Sequence, residues 1–277
     1  MQRNPYPQIT PLDDPDYPSQ DGNPMSDNML QFRWITTVQG GLDALFIDDP
    51  QVVVAGDCLW YPVEGDNTIR VAPDTMVIFG RPKGDRGSYI QHREEGIAVQ
   101  VVFEVLSPGN RAGEMRRKLA FYEKYGVEEY YILDPDFARH KGYLREGDKL
   151  VPIPDLFGWT SPRLGIRFEM TKEMKKTLRI FTPEGRLFEP YTDIARKLDV
   201  SERQIEEEQE RADEERLQAE EERRRADEAN LRAEEERRRA DEANLRAGEE
   251  RRRADEANLR AESLLQQLRA LGMEPEA

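Results

Sequence analysis

Two carboxylates stand where an apolar stretch rarely tolerates one. Asp74 lies within Ile-Arg-Val-Ala-Pro-Asp-Thr-Met-Val-Ile-Phe-Gly (69–80), and Glu104 within Ile-Ala-Val-Gln-Val-Val-Phe-Glu-Val-Leu-Ser (97–107). β-Branched and aromatic residues fill both stretches and turn formers bound them, so both read as strands. An ionised carboxylate in such a strand is costly unless it is paired or holds a metal. Either acid alone reads equally well as a cap or a salt-bridge partner. Two of them, on strands that a hairpin-like connection could make neighbours, suggest a divalent cation site. Oxygen donors without clustered His or Cys favour Mg²⁺ or Mn²⁺ over zinc. Such a cation would bind a phosphate oxygen, lower the pKa of a bound water and stabilise charge on phosphorus. Lys118, in the first half of the helix that leaves the Glu104 strand, is the natural additional cation. An ordinary surface lysine is the competing reading. Asp57 and Glu64 precede this pair and are held as extra carboxylates of lesser weight.

The elements that must position these groups follow from the patterning. Residues 1–25 are rich in proline, which fixes φ and removes donors, so they read as a disordered or extended arm. A helix capped at Ser26 or Asp27 carries Met29, Phe32, Ile35, Val38, Leu42 and Leu45 toward a sheet, and Gly40-Gly41 is a place where it could bend. Val52–Ala55 and Leu59–Tyr61 read as one bulged strand. The Asp74 strand, a polar loop over 81–96, the Glu104 strand, a helix over Arg111–Tyr125 closed by Gly126, and a strand Glu129–Leu133 follow. The order α, β, β, β, α, β is that of a mixed α/β sheet with helices on it. Strand period places Glu104 and Leu106 on one face, and Phe103 and Val105 on the other. Further short strands and a short helix at Tyr191–Leu198 complete a domain over 26–198.

Residues 199–277 differ in kind. Arg-Arg-Arg-Ala-Asp-Glu-Ala-Asn-Leu-Arg-Ala begins at Arg223, Arg237 and Arg251, a two-heptad period. Glu-to-Arg spacings of four, such as Glu221–Arg225 and Glu235–Arg239, support a long helix. Its seam is mostly alanine, interrupted by Glu222, Glu236 and Glu250, so a solvated single helix and a coiled coil that joins copies into a homo-oligomer stand level. The net charge of −15 is acidic in both parts. Contact with nucleic acid must therefore come from a local patch, for which the loop 81–93 and Arg111, Arg116 and Arg117 are candidates. The single cysteine, Cys58, excludes an internal disulfide and fits the cytoplasm. No secretory signal and no membrane-spanning stretch is read.

Taken as an ordered set, Val-Ala-Pro-Asp-Thr-Met-Val (71–77), Val-Phe-Glu-Val-Leu-Ser-Pro (102–108), Lys118 with Tyr122, and Gly-Val-Glu-Glu-Tyr-Tyr-Ile-Leu-Asp-Pro (126–135) resemble the Uma-type endonuclease family. That family is widespread in cyanobacteria and belongs to the PD-(D/E)XK, restriction-endonuclease-like superfamily. The resemblance covers roughly 26–190 and implies a Mg²⁺-dependent endonuclease acting on nucleic acid, with DNA the expected substrate. It implies that Asp74, Glu104 and the backbone carbonyl of Val105 hold the metal. The motif lysine would fall at Leu106, where it is missing, and the resemblance suggests that Lys118 takes its role. Tyr122, Tyr130 and Asp134 recur in the pattern and are read as packing and turn residues. The alternative is a non-catalytic scaffold, or a nucleic-acid-binding protein, whose helical tail mediates partner or self association.

Overall fold

The structure is a computed structural model that describes residues 7, 9, 14–19, 28–109, 112–171 and 177–270. The chain divides into two compact units, Met1–Leu198 and Asp199–Ala277. The elements run α1 (Met29–Leu45), β1 (Val52–Ala55), β2 (Trp60–Tyr61), β3 (Thr75–Phe79), β4 (Tyr89–Ile90), a 3₁₀ turn (Gln91–Arg93), β5 (Val101–Val105), α2 (Ala112–Lys124), β6 (Glu129–Leu133), β7 (Lys141–Glu146), β8 (Lys149–Pro152), β9 (Arg167–Met170), β10 (Leu178–Phe181) and α3 (Tyr191–Ala270).

A six-stranded mixed sheet in the order β1-β3-β5-β6-β7-β8 forms the first unit's core. β5 lies between antiparallel β3 and parallel β6. Parallel neighbours need a crossover of about a dozen residues or more, and α2 supplies it. Both faces of β5 are covered. Val101, Phe103 and Val105 pack in one cluster with Ile35, Val38 and Leu42 of α1. Val102 packs in the other with Tyr122 of α2. A strand covered on both faces reads as a nearly continuous apolar run, which is why Glu104 stands out within it. The main-sheet order α1, β1, β3, β5, α2, β6 is the αβββαβ restriction-endonuclease-like core expected from the sequence.

Several local expectations are corrected. Asn28 caps α1, its Oδ1 accepting the Gln31 N–H at 2.9 Å; Ser26 and Asp27 lie outside the described residues. The helix passes Gly40-Gly41 without a break. Gly41 serves close packing instead, since a Cβ there would fall 2.5 Å from the Phe188 ring. Residues 52–61 form two strands rather than one bulged strand. β1 joins the main sheet, while β2 pairs in parallel with β4. The Asp74 strand is shorter than read, and Asp74 immediately precedes β3. Gly126, at φ +91°, does follow the end of α2 in the left-handed conformation.

The described residues of the proline-rich arm are docked on the domain. Tyr17 is buried with Leu59, Tyr61 and Ile90. The Tyr61 hydroxyl donates to the Pro18 carbonyl at 2.7 Å, and Ile9 and Asp85 pair through the backbone at 2.8 Å.

The short helix read at Tyr191–Leu198 is the first part of α3, which runs on to Ala270 and has no buried residue. Glu221 and Arg225 meet at 2.7 Å, whereas Glu235–Arg239 is not among the ion pairs formed. Among the described residues no helix is long and apolar enough to cross a membrane.

Candidate active site

The acidic pair lies where the start of β3 meets the end of β5. Asp74 is placed by the backbone of the neighbouring strand: its Oδ2 accepts the Val105 N–H at 2.6 Å. Glu104 is only 2 % exposed and points to the α2 side of the sheet. Two groups on α2, one helical turn apart, hold its carboxylate. Lys118 donates to Oε2 at 2.7 Å, and the Tyr122 hydroxyl donates to Oε1 at 2.5 Å. The Val105 carbonyl accepts the Gln31 side-chain N–H of α1 at 2.8 Å. Both helices therefore fasten the same short segment of β5, one from each face.

Electrostatics follow from this enclosure. Burial raises the Asp74 carboxyl to about 8, and the Glu104 charge adds to the rise. Lys118 and the Val105 N–H offset part of it, while Asp57 adds a little. Burial alone would lower the Lys118 ammonium, but the Glu104 and Asp74 carboxylates outweigh it and hold Lys118 above the ordinary lysine value. Burial and the Glu104 charge keep the Tyr122 hydroxyl protonated, well above the usual tyrosine range. Near neutrality Asp74 thus holds a proton that a further positive charge would displace.

The donor chemistry fits a hard divalent cation. Two carboxylates and a backbone carbonyl are oxygen donors of the kind Mg²⁺ takes. The Val105 N–H goes to Asp74 Oδ2, and a carbonyl oxygen has a second lone pair beyond the one Gln31 uses. Three or more His, Cys, Asp or Glu side chains do not gather anywhere among the described residues.

Residues 35–171, which contain Asp74, Glu104, Val105 and Lys118, match the model of the Uma2 family, described as "Putative restriction endonuclease". These residues belong to the Uma2 family. The Uma2 domain is also similar to a solved structure reported as "a putative nuclease belonging to DUF820 from Anabaena variabilis ATCC 29413". That match covers 52 % of this chain and 79 % of that one, at 14 % identity and a TM-score of 0.38. No curated protein matches.

The sequence candidates divide clearly within the Uma2 domain. Asp74, Glu104, Val105 and Lys118 come together. Leu106, where the motif lysine would stand, is a half-buried member of the apolar cluster against α2. Asp57 adopts φ +46° and donates its N–H to the Pro73 carbonyl at 3.1 Å, close enough for its charge to act on Asp74. Glu64 is exposed in a turn. Asp134 is a turn residue as read: its Oδ1 accepts the Phe137 N–H at 3.0 Å. Tyr122 is more than packing, because its hydroxyl reaches Glu104. Gln31 was not singled out by its sequence context.

The loop 81–93 is not an open cationic patch. Arg81 and Arg86 both bind Glu94, at 2.8 and 2.7 Å. Arg93 binds Asp14 at 2.6 Å, and Lys83 faces Asp43 at 3.8 Å. Arg111 lies outside the described residues, whereas Arg116 and Arg117 are exposed on α2.

Proposed function

We propose that this chain is a divalent-cation-dependent endonuclease that hydrolyses phosphodiester bonds in DNA. The supporting observation is the convergence of Asp74, Glu104 and Lys118 at the junction of β3, β5 and α2, with the Val105 carbonyl in the same segment. In this reading Asp74, Glu104 and the Val105 carbonyl hold Mg²⁺ or Mn²⁺. When bound, the ion supplies Lewis acidity toward a phosphate oxygen and lowers the pKa of water.

The protein's own groups do the positioning. Tyr122 and Lys118 fix both oxygens of Glu104, so the carboxylate does not need to be ordered when substrate arrives. Asp74 and Gln31 fix the two peptide groups that flank the Val105 Cα. An ammonium has three donors, and Glu104 occupies one of them in Lys118. The others are available to orient the attacking water or to stabilise negative charge on the phosphate. Lys118 thereby takes the role expected of a motif lysine at Leu106, reaching back from the helix.

Supercoiled plasmid incubated with Mg²⁺ or Mn²⁺ tests the reading. The wild type should nick or linearise it only with the cation, and Asp74→Asn should abolish cleavage. Lys118→Met should reduce cleavage by roughly 10²-fold or more, as loss of a group that stabilises developing charge does. Folded wild type that leaves plasmid, single strands and RNA intact would favour the scaffold alternative. Cleavage of RNA alone would keep the nuclease and correct its substrate.

A further inference from the structure

A cleft of about 360 Å³ opens between α2 and strands β6 and β7. Leu106, Met115 and Tyr143 supply apolar surface, and Arg116, Arg139 and Lys141 line it with positive charge. Three of its lining residues adjoin the candidate site in sequence or strand register. Leu106 follows Val105 directly. Ile132, also in the lining, stands opposite Glu104 in the β5–β6 register. Met115 lies one helical turn before Lys118.

Several cations of this domain are neutralised at close range, as in Arg81 and Arg86 with Glu94, Arg93 with Asp14, and Arg163 with Glu128. Among the described residues Arg116, Arg139 and Lys141 have no ion pair. Arg139 makes only a cation–π approach, 5.5 Å above the Phe137 ring. In an acidic chain, three cations that line one concavity and have no ion partner among the described residues favour an anion there. The apolar surface beneath them excludes a bare ion as the best fit, and the volume lies within the range of ligand-sized pockets.

We propose that this cleft seats one unpaired nucleotide of the substrate strand, next to the phosphate that is cut. The base rests on Leu106, Met115 and Tyr143, and the flanking phosphates are held by Arg116, Arg139 and Lys141. A base stacked in a duplex has no free face to present, so the seat selects single-stranded or locally melted DNA; apolar and aromatic platforms rimmed by cations are how such strands are bound. This assignment rests on the nuclease reading and deepens it.

Binding to the full-length protein, followed by fluorescence anisotropy, separates the two. The probes are a labelled single-stranded oligonucleotide and its duplex, without divalent cation, so that no cleavage occurs. The wild type should bind the single strand more tightly than the duplex. Arg139→Ala with Lys141→Ala should weaken single-strand binding about tenfold and lower the slope of log K against log salt by about 1.4, the effect of two lost phosphate contacts on a single strand. Ala112→Trp, which fills the cleft from an exposed position on α2, should weaken the single strand and spare the duplex. Equal affinity for both forms in the wild type, or equal losses for both in Ala112→Trp, would overturn the seat. Selective binding by a wild type that never cleaves would remove the nuclease reading and leave the seat standing. Cleavage without selective binding would do the reverse.

Discussion

Glu104 and Glu129 are buried carboxylates on adjacent strands of one sheet, and they serve opposite ends. Glu129, fully buried at the start of β6, accepts hydrogen bonds from the Tyr131 hydroxyl at 2.8 Å, the Arg163 N–H at 2.7 Å and the Ser161 hydroxyl. Its donors are neutral, and they tie the loop before β9 onto the sheet. Glu104, toward the end of β5, has a cation and a hydroxyl as partners and a second carboxylate as neighbour. In the first case local donors meet the buried carboxylate. In the second the two acids oppose each other, and Asp74 takes up a proton. Burial of an acid therefore does not distinguish structure from chemistry. The sign of its neighbours does.

The largest predicted contrast is between Glu104→Gln and Glu129→Gln. The first should reduce cleavage by about 10³-fold or more, since a charged ligand to the cation is lost, with little loss of folding. The second should leave the rate per folded molecule nearly intact. It should cost about 1–3 kcal/mol of stability, because a buried set of donors loses its acceptor. Plasmid cleavage beside urea unfolding checks both. If Glu129→Gln lost activity at full stability, the contrast would fail.

A pH series sharpens the same contrast. In the absence of metal the folded-state pKa of Asp74 is raised to about 8 from 3.8. The folded protein then holds a proton that the unfolded chain releases. Its contribution to stability is fully present below about pH 4 and is lost as pH rises through about 8. Wild type without metal should lose more stability than Asp74→Asn across that window, and Mg²⁺ should narrow the gap. His140 gives an opposing slope. Burial lowers it to about 4 against the Asp134 charge, so the folded state resists protonation and stability falls as pH drops from about 6.5 to 4. Thermal melts of His140→Gln beside the wild type should show that acid-side difference. The Asp74 and His140 effects differ in sign and can be read separately.

Smaller effects are expected from the groups that only position. Tyr122→Phe removes one hydrogen bond from Glu104, and Gln31→Leu removes one from the Val105 carbonyl. Each should cost about 0.5–1.5 kcal/mol, read as a several-fold fall in kcat with KM nearly unchanged. Tyr122→Phe should have the greater effect, because its acceptor is charged.

The sequence made Asp74, Glu104 and Lys118 legible because each breaks or punctuates a local pattern. An acid in an apolar strand is a visible anomaly, and a lysine just past it lies within reach on the following helix. Tyr122 and Gln31 break no pattern. A tyrosine on an apolar helical stripe looks like packing, and Gln31 meets its acceptor across 74 residues of chain. Glu129 is as anomalous as Glu104 within its strand, but its donors at 161 and 163 come from a distant loop. The fold core was legible from the order of apolar runs. The split of 52–61 between two sheets was not, since strand period carries no information on which edge a strand joins. The cations of 81–93 read as an open patch because Glu94, Asp14 and Asp43 become their partners only on folding.

Calorimetric titration of Mn²⁺ into metal-free protein tests the central claim most directly. The wild type and Glu129→Gln should each bind the ion at a site that is lost in Asp74→Asn and in Glu104→Gln. Binding in the wild type near neutral pH should release protons, seen as heats that vary with the buffer. Undiminished Mn²⁺ binding in folded Asp74→Asn, or its loss in folded Glu129→Gln, would contradict the account.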